Sequence, residues 1–108
     1  MGDLRETEEG FKGWVTDLAK HCGWLVHHDR PSRRADGSWR TAVEGDAGFP
    51  DLVLARDGRV IFAELKTERG KPSPAQDRWM LEIRGRYDTS PCYLWRPSDR
   101  PEIARVLA

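Results

Sequence analysis

The sequence predicts an α/β domain with a central mixed sheet flanked by helices. Two apolar runs, Asp51–Arg56 and Arg59–Lys66, are joined by Asp57-Gly58. That dipeptide signals a hairpin, because a type I′ turn needs positive φ at both central residues. Both runs are apolar on both faces, with Val53, Ala55, Val60 and Phe62 on one and Leu52, Leu54, Ile61, Ala63 and Leu65 on the other. Such strands belong in the middle of a covered sheet. Helical periodicity on either side of the hairpin supplies the covering layers. The predicted order is helix, strand, hairpin, helix, strand, helix, with the strand after the second helix joining by a right-handed crossover.

Taken in order, a first helix is expected from about Leu4 to Lys20. Leu4, Glu8, Phe11, Trp14, Val15, Leu18 and Cys22 share one face, and Glu8 continues the apolar stripe while Glu9 falls on the polar side. Gly23 suits a left-handed helix cap, and Trp24–His28 reads as the first strand. The long polar segment Asp29–Ala47 carries Arg30, Arg33, Arg34, Trp39 and Arg40. Arg offers bidentate phosphate contacts and Trp39 a stacking surface for an unpaired base. Ser73-Pro74-Ala75-Gln76 opens the second helix with a capping-box signature. Gln76 also heads the stripe Gln76, Met80, Ile83, Tyr87, so capping and a role beside the site are both open. Cys92–Trp95 is the last strand, and Ser98 is expected to cap a short helix through Leu107.

Length and composition set the frame. The 108 residues support one domain, 1–108. Lys and Arg number 18 against 18 Asp and Glu, so net charge selects no partner; the arginines of Arg30–Arg40 form a local basic cluster instead. Cys22 and Cys92 lack zinc-ligand spacing and read as small core residues. With no apolar run long enough to span a membrane, the expected location is a reducing cytoplasm. Of the tryptophans at 14, 24, 39, 79 and 95, only Trp39 is placed outside the core by this reading.

The hairpin register is where chemistry enters. A two-residue turn sets Arg56 opposite Arg59, Val53 opposite Phe62 and Asp51 opposite Glu64, with Lys66 on the same face. Two opposed carboxylates repel, and one protonates unless a cation sits between them. All-oxygen ligands suit Mg²⁺ or Mn²⁺. A solvated sheet end is the plainer alternative.

Pro50-Asp51, twelve residues and then Glu64-Leu65-Lys66 resemble the motif of the PD-(D/E)XK nucleases. The words Gly48-Phe49-Pro50-Asp51-Leu52, Glu64-Leu65-Lys66-Thr67-Glu68 and Ser73-Pro74-Ala75-Gln76 resemble the VRR-NUC family, in its short stand-alone phage-type form. The resemblance covers nearly the whole chain, from about Glu8 onward. It implies a restriction-endonuclease-like αβββαβ core and a metal-dependent DNA endonuclease acting on branched or Holliday-type junctions. A minimal domain with one site must dimerise to cut two strands symmetrically, so a homodimer is expected. The resemblance also implies metal ligation by Asp51, Glu64, the Leu65 carbonyl and Glu8, charge stabilisation by Lys66, and Gln76 beside that lysine. Arg30, Arg33, Arg34, Trp39, Arg40 and Lys71 would hold the nucleic acid, and His27 or His28 is a further candidate phosphate contact. A nicking or single-strand nuclease working with a partner, or an inactive binding module, are the alternative functions.

Overall fold

Asp57 and Gly58 both adopt positive φ, 50° and 80°, and close the expected two-residue turn. The computed structural model describes residues 6–28, 32–33, 35–40, 44–86 and 91–108, and for residues 32, 33, 39 and 40 the backbone alone. The elements are α1 (Glu8–His21), β1 (Leu25–His28), β2 (Ser32–Arg33), β3 (Trp39–Arg40), β4 (Leu52–Arg56), β5 (Arg59–Leu65), α2 (Pro74–Arg84), β6 (Cys92–Trp95) and α3 (Arg100–Leu107), with a 3₁₀ turn at Pro97–Asp99. Four strands form a mixed sheet in the order β1-β4-β5-β6. The β1–β4 and β4–β5 pairs are antiparallel, whereas β5–β6 is parallel across the α2 crossover. The fold is thus α/β, with three α-helices and a four-stranded mixed sheet among the described residues. The short β2–β3 pair stands apart from it.

One face of the sheet is sealed. Leu52, Leu54, Ile61, Ala63 and Leu65 are fully buried with Phe11, Val15 and Ala19 of α1 and Ile103 and Leu107 of α3. Trp24 joins this core and donates its indole N–H to the Leu107 carbonyl at 2.9 Å. Arg56 lies over the Trp24 ring and donates to the carbonyls of Cys22 and Leu107, tying the end of α1 to the end of α3. The other face carries Glu64, Phe62, Val53 and Ala55 and is covered less completely. Met80 of α2 and Cys92 of β6 are buried, but in the row Leu25–Ala55–Val60 across β1, β4 and β5, Leu25 and Val60 remain exposed. Among the described residues no helix is long and apolar enough to cross a membrane.

Several element boundaries differ from the sequence reading. Helix α1 begins at Glu8 rather than Leu4, because the Thr7 hydroxyl caps it by accepting from the Gly10 N–H at 3.0 Å. Gly23, at φ +87°, ends that helix as expected. Within Asp29–Ala47, strands β2 and β3 pair across a turn in which the Asp36 carboxylate accepts from the Ser38 N–H and hydroxyl. The sequence suggests only a loop there, since two-residue strands leave no period to detect. Ser98 does not cap α3. Its N–H is taken by the Glu68 carboxylate, and the 3₁₀ turn is closed by Asp99, which accepts from the Arg96 N–H at 2.8 Å. Leu4, Arg30, Arg34 and Tyr87 lie outside the described residues, as do the side chains of Arg33, Trp39 and Arg40.

Candidate active site

The β4–β5 ladder runs from Arg56↔Arg59 through Val53↔Phe62 to Leu52↔Ala63, the register expected from the turn. Asp51 therefore sits one residue beyond the ladder, at the end where Glu64 emerges, and its Oδ2 accepts from the Leu65 N–H at 2.9 Å. That bond holds the Asp51 carboxylate against the β5 backbone. Glu64 is paired in the sheet with Leu94 of β6, so it is flanked on both sides by strands. It is only 1% exposed, and it is the one buried charged residue among those described.

Both Glu64 carboxylate oxygens are buried with no hydrogen-bond donor among the described residues. Burial first, then the facing Asp51 carboxylate, pushes the Glu64 pKa up to about 8; the Lys66 ammonium opposes the rise and the Glu8 charge adds to it. The Lys66 Nζ lies 3.7 Å from Glu64 Oε2, and its side chain is largely buried. Its backbone N–H donates to the Trp95 carbonyl at 3.0 Å, continuing the β5–β6 ladder. Asp51, Glu64 and Lys66 are thus brought together by one hairpin and its β6 neighbour.

Glu8 stands at the first turn of α1 with an exposed side chain. Its charge, rather than that of Glu9, reaches Glu64. Among the described residues no three His, Cys, Asp or Glu side chains are grouped to hold a metal ion, so Glu8 does not join the pair as a third converging carboxylate. The pair itself suits a hard divalent cation. Its donors are oxygens, and the buried carboxylate has the Lys66 ammonium beside it but accepts no hydrogen bond among the described residues.

Gln76 serves as a cap. Its Oε1 accepts from the Ser73 N–H at 2.8 Å, and its own N–H donates to the Ser73 hydroxyl at 3.2 Å. Lys71 is exposed on the connection between Lys66 and α2. His27 and His28 are exposed on β1; His27 pairs with Val53 on the face that carries Glu64, and His28 pairs with Leu52 on the other.

Two residues have framework roles that the sequence reading does not assign. Arg96, just past β6, donates from Nη1 to the carbonyls of Thr67 (2.6 Å), Gly70 (2.7 Å) and Glu68 (3.1 Å), fastening the segment that follows Lys66. Hydrogen bonds from a charged donor contribute more than neutral ones. Arg96→Ala is therefore expected to lower stability by roughly 2–3 kcal/mol, read as a fall in the thermal midpoint, with Arg96→Lys intermediate. An unchanged midpoint would show that the segment holds itself. On the other side of the site, Gly48 has φ +99°, and a Cβ there would lie 2.5 Å from the Ala75 carbonyl carbon. Only glycine allows the chain entering Asp51 to press so closely on the start of α2. The Gly is visible in the sequence, but its neighbour is not.

No protein-family model, curated protein or solved structure matches this chain.

Proposed function

We propose that the chain is a metal-dependent phosphodiesterase, a DNA endonuclease of the VRR-NUC kind built on a restriction-endonuclease-like core. The observation that carries the reading is Glu64, a buried carboxylate without a donor, facing Asp51 and 3.7 Å from the Lys66 ammonium. A structural role does not account for a like-charged pair placed at the end of two apolar strands.

Asp51, Glu64 and the Leu65 carbonyl would hold Mg²⁺ or Mn²⁺. When bound, the ion supplies a Lewis acid for the phosphoryl oxygens and lowers the pKa of coordinated water. The Leu65 N–H, which holds Asp51 Oδ2 at 2.9 Å, would keep that carboxylate in place for the ion. Lys66 offers a positive charge to the oxyanion that develops as the phosphodiester is cleaved. Its ion pair with Glu64 suits charge stabilisation better than general-base work. Glu8 adds negative field from the start of α1 and would hold a water near the pair. Lys71 and the arginines at 30, 33, 34 and 40, with Trp39, would engage the nucleic acid.

A single small site cuts both strands of a junction symmetrically only as a pair, so a homodimer is part of the proposal. Leu25 and Val60 leave apolar surface available to a second copy.

Cleavage of labelled four-way junction, linear duplex and single-stranded DNA, with Mg²⁺, Mn²⁺ or EDTA, tests this directly. Paired cuts confined to the junction and abolished by EDTA are the expected result. Metal-dependent cutting without junction preference would keep the nuclease and discard the junction resolvase. Binding without cutting under every condition would overturn the enzyme.

A further inference from the structure

Trp79, expected in the core with the other tryptophans, is only partly buried and lines a cavity of about 410 Å³ with Asp46, Ala47, Ala75, Arg78 and Glu82. We infer that this cavity seats one unstacked nucleobase of the strand being cut, an assignment that rests on the nuclease reading for its source of bases. Its size falls in the ordinary range of small-molecule sites.

The indole is fixed before any ligand arrives. Its N–H donates to the Asp46 carbonyl at 3.2 Å, and the Phe49 ring meets it edge-to-face at 5.0 Å. With its only donor occupied, Trp79 offers a flat apolar surface, which recognises an aromatic ring by stacking whatever the base. The rim adds acceptors from Asp46 and Glu82 and a donor from Arg78. That set complements a base edge carrying an exocyclic amine beside a ring acceptor. Two carboxylates on the rim disfavour a phosphate in the same place, which leaves the backbone to the lysine side.

The cavity is also mechanically joined to the carboxylates. Phe49 packs edge-to-face on Phe62 at 6.0 Å as well as on Trp79. Phe62 lies two residues before Glu64 on the same sheet face, and Phe49 two residues before Asp51. The close approach of Gly48 to Ala75 and Gln76 fixes this segment on α2. A base on Trp79 would therefore set the position of its own strand relative to Asp51, Glu64 and Lys66.

The test is equilibrium binding, in EDTA so that no strand is cut, of a fluorescent mixed-sequence single-stranded hexanucleotide and of an abasic strand of equal length. Wild-type protein is expected to favour the base-bearing strand by about tenfold. Trp79→Ala should lose that preference, and Trp79→Phe should keep most of it. Equal affinity for the two strands in wild type, or a preference that survives in Trp79→Ala, would overturn the inference. The parent reading fails separately. Metal-dependent cleavage without any base preference removes the cavity and leaves the nuclease, whereas a Trp79-dependent preference without cleavage keeps the cavity and removes the nuclease.

Discussion

Glu64→Gln is expected to stabilise the metal-free protein, and the gain should grow as the pH rises. A carboxylate whose pKa is about 8 in the folded chain, against an ordinary 4.5, binds its proton more tightly folded than unfolded. Between those two values the folded state holds more protons, so wild-type stability falls as pH rises through the interval and levels off above about 8. Every tenfold difference in proton affinity between the two states corresponds to ~1.4 kcal/mol, which places the loss between about pH 5 and pH 9 on the order of 3 kcal/mol or more. For a domain of this size that is a fall of roughly 10–20 °C in the thermal midpoint. Gln cannot ionise, so its midpoint should vary far less across the same range. Thermal melts in EDTA at about pH 5, 7 and 9 decide the matter; parallel curves for the two proteins would mean that Glu64 is solvated, contrary to its burial. Added Mg²⁺ or Mn²⁺ should restore the wild type at high pH and leave Glu64→Gln unmoved.

Lys66→Ala should slow cleavage severely while sparing ion binding. Removing one group that stabilises developing charge in a water-poor site typically slows turnover by about 10²–10³-fold, and the loss should fall on kcat rather than KM. Asp51→Asn separates the roles. It should lose both cleavage and the stabilisation conferred by the divalent ion, because the carboxylate that the Leu65 N–H orients is then neutral. A Lys66→Ala protein that cuts at the wild-type rate would remove the lysine from the chemistry and return it to the pairing seen with Glu64.

What can be read from the sequence is local. Asp57-Gly58 determines the turn, the turn determines the register, and the register places Asp51 beside Glu64 and Lys66. Ser73 and Gln76 signal their own capping box, since both partners lie within one helical turn. The unread parts depend on residues distant in the chain. Arg96 looks like any surface arginine, because its three carbonyl partners lie nearly thirty residues earlier. Trp79 reads as one more core tryptophan, and only the position of Asp46 and Phe49 explains why it faces a cavity. Ser98 follows the general preference for helix caps but loses the position to Asp99, whose carboxylate reaches Arg96. The two-residue pairing of β2 with β3 has no sequence signature of its own.

The parallel joining of β5 to β6 has a consequence for how the protein comes to be assembled. Asp51, Glu64 and Lys66 all belong to one antiparallel hairpin, a contact of short loop length that closes on the microsecond scale. Strand β6 pairs with β5 across the α2 crossover, a longer loop whose closure is expected to be slower. The two carboxylates can therefore meet while still hydrated and mutually screened, and their repulsion sharpens only when β6 arrives and excludes water. Ionisation of Glu64 is therefore expected to change the unfolding rate more than the folding rate.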